Sequence, residues 1–366
     1  MQNTFSPSRR RLLGATAAAL TASDVFALDS DGNGAGVLRK YSSATNKTGA
    51  ARMFGPIHQV DAGVLNIGYA ELGPSGGAPV ILLHGWPYDI HSYWEVATQL
   101  ADRGCRVIVP HLRGHGTTRF LDQSVPRSGQ QAALGADVIA LMDALEIPKA
   151  TLAGYDWGGR AACVAAALWP ERCAGLVSVN SYLIQDIANA SRPLRPATEA
   201  GFWYQFYFLT ERGRAGLEAN RREIAKLMWT RNSPHWQFHE DTFDRSARAF
   251  NNADYVDVVI HSYRHRLGIS PGFAPYHDLE RRLATLPAIT VPAITIDGDA
   301  DGVVPATDGR SSAGKFTGGR EHRILPRIGH NPPQEAPSEF AAAVLDLVAN
   351  TQISSHLPKE GRDGRS

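Results

Sequence analysis

Cysteine is scarce in this chain, with three in 366 residues, Cys105, Cys163 and Cys173. No two form a CxxC pair, and all three fall inside apolar strand or helix patterns, which favours buried free thiols over a disulfide framework or a thiolate zinc site. An excess of charge of one sign is missing too. Against 37 basic residues stand 36 acidic ones, a net charge of +1, and the basic residues are interspersed with acids, as along 211–222, so nothing marks a nucleic-acid track. Clustered metal ligands are also lacking. His235 and His239 are four apart, but no glutamate stands beside the first and no third ligand is in view, so neither a metal nor a cofactor is expected. Long hydrophobic runs are absent as well. The apolar stretch that ends near Ala22 holds about ten weakly apolar residues, too few for a stable membrane span. What remains is the composition of a globular protein, 43% apolar and 20% charged, on a chain long enough to bury a sizeable core.

At the amino terminus, Ser8-Arg9-Arg10-Arg11-Leu12-Leu13 precedes an Ala-rich apolar stretch. It resembles a twin-arginine export signal. Residues 1–27 are therefore expected to be removable, with a cleavage site near Val25-Phe26-Ala27 and a periplasmic or secreted product. Residues 28–50 read as a linker. From residue 51, short apolar runs alternate with helical segments, the pattern of an α/β fold. The spacing predicts strands at 58–60, 64–71, 80–83, 105–109, 151–153, 176–179, 293–296 and 322–325, and helices at 93–103, 130–145, 159–169 and 339–348. The last six strands are nearly continuous apolar runs, as parallel strands buried on both faces require. The alternation stops over 183–285, a stretch rich in aromatics, arginine and helix formers. This predicts a helical cap inserted between two parts of the α/β core, 51–182 and 286–350, roofing the carboxyl edge of the sheet where such folds bind ligands. The polar residues 351–366 are expected to form a disordered tail.

Chemistry concentrates in four short motifs. Gly154-Tyr155-Asp156-Trp157-Gly158-Gly159, set between an apolar run and a helical one, has the form of a nucleophile elbow with aspartate at its centre. A carboxylate is ionised at neutral pH without a base, so it suits displacement at a saturated carbon and leaves an alkyl-enzyme ester. Hydrolysis of that ester needs an activated water. His330, in the loop Gly329-His330-Asn331, is the candidate base. Its orienting acid is expected just past the penultimate strand, where 297–301 reads D-G-D-A-D. Asp301 is best placed to reach across to His330, Asp299 is the fallback, and Asp297 reads as the strand end. Ester hydrolysis also creates an oxyanion. The backbone N–H groups of Trp86, in His84-Gly85-Trp86-Pro87, and of Trp157 are the candidate donors.

Together, H-G-W-P, G-Y-D-W-G-G, D-G-D-A-D-G and G-H-N-P resemble the α/β-hydrolase branch that contains epoxide hydrolases and haloalkane dehalogenases, over residues 51–350. The resemblance implies an α/β-hydrolase fold, with a mostly parallel central sheet and an inserted helical cap. Epoxide hydrolases use two cap tyrosines to donate to the epoxide oxygen. Trp203-Tyr204-Gln205-Phe206-Tyr207-Phe208 is similar to the first of those segments and Ser262-Tyr263-Arg264 to the second, which implies Tyr204 and Tyr263, with Tyr207 and Tyr255 as competitors. Dehalogenases of the branch hold halide with an indole such as that of Trp157, but many also place asparagine where Trp86 stands here. Relatives that act on fluoroacetate place arginines near the nucleophile, and Arg113 and Arg160 lie in those neighbourhoods without the rest of the pattern. His111, in a motif where relatives often have aspartate, and Tyr155, where histidine is common, also depart from the family. The resemblance thus implies an epoxide hydrolase, with a hydrophobic epoxide and water as its small-molecule partners and a vicinal diol as product. The alternative is a haloalkane or haloacid dehalogenase using the same aspartate.

Overall fold

The computed structural model describes residues 54–356. The expected export signal, the linker and the end of the expected tail lie outside these residues. Nine strands form one sheet: β1 (His58–Ala62), β2 (Leu65–Leu72), β3 (Ala78–Leu83), β4 (Cys105–Pro110), β5 (Arg119–Phe120), β6 (Ala150–Gly154), β7 (Cys173–Val179), β8 (Ala293–Gly298) and β9 (Arg320–Leu325). Their order is β1-β2-β4-β3-β6-β7-β8-β9, with β5 paired to β2. From β4 to β9 every neighbouring pair is parallel, and only the pairings of β2 are antiparallel. The apolar runs of β3, β6, β7 and β8 are buried because helices cover both faces of the sheet, as parallel strands require. The two-residue β5 has no periodicity of its own and escaped the sequence pattern.

Helices α1 (Trp94–Asp102), α2 (Gln131–Ala144), α3 (Asp156–Leu168) and α12 (Pro337–His356) belong to the core. Several element ends differ from the expectation by two or three residues, and two of the differences bear on the reading. Helix α3 starts on Asp156 itself rather than at residue 159, and α12 continues to His356, so the first residues of the expected tail are helical. Between β7 and β8 the described residues form no strand. They contain α4 (Pro196–Gly201), α5 (Trp203–Leu209), α6 (Glu211–Ala219), α7 (Arg221–Asn232), α8 (Glu240–Ala247), α9 (Tyr255–Arg266) and α10 (His277–Leu283), while the short α11 (Pro332–Glu335) follows β9. The three cysteines are buried and free.

Hydrogen bonds tie this helical insertion to the loop that follows β3. Trp229 Nε1 donates to the Pro87 carbonyl at 2.7 Å, Ser246 Oγ to Asp89 Oδ1 at 2.6 Å, and Trp86 Nε1 to Tyr255 Oη at 2.9 Å. Buried polar groups need such partners, so each bond fixes where the cap helices sit over the strand ends.

Three buried histidines, His84, His111 and His115, lie beneath the same loop. His84 is held neutral, because Nδ1 faces the Gly85 carbonyl at 2.9 Å while Nε2 accepts from Leu112 N at 3.1 Å. Burial pushes all three down, His84 to about 3 and the other two to about 4. Their folded pKa values lie below the unfolded value, so the neutral native forms favour folding in full above about pH 6.5, and that stability is lost as pH falls toward 4. Each group contributes a slope of about 1.4 kcal/mol per pH unit in that window. His91, raised by Asp89 against the opposing effect of its burial, acts in the opposite sense. Urea unfolding is therefore expected to show a stability at pH 4.5 lower by several kcal/mol than at pH 7. Equal midpoints at the two pH values would contradict the neutral assignment.

Candidate active site

The nucleophile elbow is built by close backbone approach. β6 ends at Gly154, and Asp156 opens α3 with φ +50°, a left-handed conformation that a residue with a Cβ adopts only under strain. The glycines let the turn press against the end of β3: a Cβ on Gly158 would lie 1.9 Å from the Leu83 carbonyl oxygen, and one on Gly154 would lie 2.5 Å from the Gly158 carbonyl carbon. That contact brings Asp156 to the H-G-W-P loop. Trp86 N donates to Asp156 Oδ1 at 2.7 Å. The N–H of Trp157 lies in the first turn of α3, where no carbonyl of its own helix can accept from it. The helix dipole also favours negative charge at this end.

The second half of the site comes from two loops at the carboxyl ends of β8 and β9. His330 Nδ1 lies 2.7 Å from Asp301 Oδ2, and His330 Nε2 lies 3.8 Å from Asp156 Oδ2. Asp301 is itself fixed: its Oδ1 accepts from Val303 N at 2.7 Å and Val304 N at 3.0 Å, and its Oδ2 from Asn180 Nδ2 at 3.1 Å. The other two aspartates of the D-G-D-A-D turn bind elsewhere. Asp297 accepts from Thr307 N at 2.9 Å, and Asp299 accepts from Arg327 N. Burial opposes a charge on His330, but Asp301 and Asp156 outweigh it and push the imidazole up to about 10. Burial likewise disfavours the Asp156 carboxylate, yet His330, Arg160 and the Trp86 N–H hold it below the usual carboxylate value. The pair therefore rests as carboxylate and imidazolium.

Tyr204 on α5 and Tyr263 on α9 meet above this site. Their ring centroids are 5.4 Å apart at 88°, and both pack against the Trp86 indole, Tyr204 stacked at 5.6 Å and Tyr263 edge-on at 5.4 Å. Burial, reinforced by the charge on Asp156, raises Tyr204 to about 12, and burial raises Tyr263 well above the ordinary tyrosine value. Both remain protonated donors at neutral pH. The competitors are engaged otherwise. The Tyr207 hydroxyl lies over α6, where a Cβ on Gly216 would come within 1.9 Å of it, and Tyr255 Oη holds the Trp86 indole. Tyr255 thereby steadies the residue whose backbone N–H grips Asp156. Asn180, which braces Asp301, and Ser233, whose Oγ accepts from His330 N at 3.2 Å, carried no sequence signal.

The remaining singled-out residues separate cleanly. Arg113 is locked to Asp137 through two bonds of 2.7 and 2.6 Å, and the Tyr155 hydroxyl pairs with Ser92 Oγ at 2.7 Å. Both are structural. Trp157 Nε1 is buried beside Tyr263 and makes no well-formed hydrogen bond among the described residues.

Comparison with known proteins gives the family. The family model for the alpha/beta hydrolase fold matches residues 78–337. A crystal structure of a proposed epoxide hydrolase from Klebsiella pneumoniae is 54% identical, covers 80% of this chain and 96% of its own, and superposes with a TM-score of 0.78. Epoxide hydrolase A of Mycobacterium tuberculosis is 25% identical over 80% of this chain and 97% of its own length. A haloalkane dehalogenase of Mycolicibacterium paratuberculosis is 31% identical over a shorter stretch, 52% of this chain and 61% of its own. The chain belongs to the α/β-hydrolase fold family and, within it, to the epoxide hydrolase branch of hydrolytic enzymes.

Proposed function

We propose that the protein converts a hydrophobic epoxide to a vicinal diol through an aspartyl ester. The observation that carries this reading is the pair of buried cap tyrosines, Tyr204 and Tyr263, beside an aspartate nucleophile. Asp156 Oδ1 is occupied by the Trp86 N–H, which leaves Oδ2 to attack an epoxide carbon. As the C–O bond of the ring breaks, the two phenols donate to the departing oxygen. Oδ1 becomes the ester carbonyl, already seated where an oxyanion will form, with the Trp86 and Trp157 N–H groups as its donors. Ester formation removes the Asp156 charge that supported the His330 imidazolium, so the imidazole gives up its proton more readily and can act as base. Water then attacks the ester carbon, His330 takes its proton, and Asp301 holds the ring. Protons balance over the cycle. Ring opening consumes one, and ester hydrolysis returns one.

A Tyr204→Phe/Tyr263→Phe double variant tests the reading. Epoxide opening should slow by ~10²-fold or more when both donors are lost. Unimpaired opening, or halide release by an enzyme inert to epoxides, would favour the second reading, a haloalkane or haloacid dehalogenase. Trp157 Nε1, a buried donor without a well-formed hydrogen bond among the described residues, is the observation that favours it.

In the same proposal the Arg9-Arg10-Arg11 stretch directs export. An Arg9→Lys/Arg10→Lys variant should stay in the cytoplasm on cell fractionation while the unaltered protein leaves it; identical distributions would count against a twin-arginine signal.

A further inference from the structure

A cavity of about 180 Å³ lies at the seam between the helical insertion and the core, and neither cap tyrosine lines it. Exposed Gln237 and His239 stand on its outer wall, buried Ser92 and Pro333 on its inner one. It has room for several waters. The inner wall is polar and thin. Gln334, which also lines the cavity, accepts through Oε1 from Asn331 Nδ2 at 2.6 Å and from Ser92 Oγ at 3.4 Å, and Ser92 Oγ pairs with Tyr155 Oη at 2.7 Å. Asn331 follows His330 in the chain, and the Tyr155 ring stands edge-on to the His330 ring at 6.4 Å. One layer of side chains thus separates the cavity from the imidazole.

Around His330, three polar atoms lack a fixed partner. Tyr88 Oη, Asn232 Oδ1 and Asn331 Oδ1 are buried and make no well-formed hydrogen bond among the described residues. Their residues gather on this one loop. The Asn232 carbonyl accepts from His330 N at 3.2 Å, Trp229, one turn earlier on α7, stacks on the Tyr88 ring at 4.9 Å, and that ring stands edge-on to Tyr155 at 5.4 Å. The Tyr88 hydroxyl lies beside the Asn232 side chain. Buried polar atoms in native proteins are bonded either to protein or to ordered water, so water is the partner left for these three.

We infer that the water for ester hydrolysis enters from this cavity, and that Tyr88, Asn232 and Asn331 are positioning residues that hold it on the His330 side. This inference rests on the epoxide-opening reading, whose second step consumes one water per turnover. Once the ester has formed, its alkyl group lies against the aromatic wall of Trp86, Tyr204 and Phe208 and blocks that approach. A supply from behind His330 delivers water to the base without passing the bound substrate.

Two measurements on the full chain test it. A crystal structure should show ordered water within hydrogen-bond distance of Tyr88 Oη and of Asn232 Oδ1 or Asn331 Oδ1. Dry positions, or a direct Tyr88–Asn232 bond that leaves no room for water, would overturn the inference whatever the substrate. In single-turnover kinetics with phenyloxirane, hydrolysis of the alkyl-enzyme should slow by ~10-fold or more in Thr242→Phe, which fills the cavity from α8, and in Tyr88→Phe, which keeps the ring packing and removes only the hydroxyl. Alkylation should stay within about twofold of the unaltered rate in both, with unchanged urea midpoints, a split between the two steps that a merely structural role would not produce. Equal slowing of both steps, or unchanged hydrolysis in either variant, would overturn the route and leave the epoxide reading standing. Waters in place in a protein that opens no epoxide would overturn the epoxide reading and keep the water site.

Discussion

Asp156→Asn should abolish steady-state epoxide turnover, with kcat falling by ~10⁴-fold or more, the scale on which loss of a covalent nucleophile acts. The fold should survive. Asparagine has the same shape, its side-chain oxygen can still accept from Trp86 N, and the strained backbone at this position is held by the glycine contacts around it. What is lost is the charge, since an amide oxygen is too weak a nucleophile to displace an epoxide C–O bond. The check is a progress curve with freshly purified protein. Prompt activity without the lag of slow deamidation would exclude Asp156 as nucleophile. Single-turnover reaction of the unaltered enzyme in heavy-oxygen water is the companion test, because hydrolysis at the ester carbonyl leaves the label in Asp156. Label found only in the diol would mean that water attacks the epoxide directly.

His330→Gln should separate the two chemical steps. Asp156 keeps two of the influences that hold it ionised, Arg160 and the Trp86 N–H, so alkylation should continue. Hydrolysis of the ester should fall by ~10²–10⁴-fold without its base. One equivalent of epoxide should then disappear in a burst, and intact-protein mass spectrometry should find the enzyme heavier by one substrate. Unchanged steady-state turnover would remove His330 from the mechanism, and loss of the burst itself would move its role to the first step. The raised pKa of His330 makes this variant informative, since the same residue is imidazolium before alkylation and must be imidazole after it. The change comes from the neighbour 3.8 Å away, whose negative charge disappears as the ester forms.

Much of this architecture is legible in the linear chain, for reasons that are local. A strand that turns sharply into a helix needs Gly154 and Gly158, because a side chain on Gly158 would strike the end of β3 and one on Gly154 would strike the backbone of Gly158, and a residue flanked that way is displayed at the strand end. The alternation of apolar runs with amphipathic segments likewise follows from burying each strand on both faces. The irregular insertion over 183–285 stands out because it breaks that rhythm. Boundaries were less accessible. The start of α3 on Asp156 and the extension of α12 to His356 depend on caps and packing that composition does not encode.

Partners are another matter, because pairing is decided by residues far apart in sequence. Three aspartates lie within five positions; their order along the turn favours Asp301, and the crossing of the β8 and β9 loops brings it to 2.7 Å from a histidine 29 positions away. Tyr255, in sequence a competitor of the two motif tyrosines, goes to the Trp86 indole through the packing of α9 over the H-G-W-P loop. Arg113 and Arg160 are alike as basic residues beside motifs, and the fold separates them, locking the first to Asp137 and setting the second where its charge supports the Asp156 carboxylate. The sequence by itself determined the candidate nucleophile, the order of the candidate loops and the fold that carries them, since each is written in backbone geometry over a few residues. The tertiary structure brought Asp301, Tyr204 and Tyr263 into one neighbourhood with Asp156 and His330, and it alone disclosed Asn180, Ser233 and Tyr255 as the braces of Asp301, His330 and Trp86, because a side chain's environment is set by whatever non-local groups burial brings beside it.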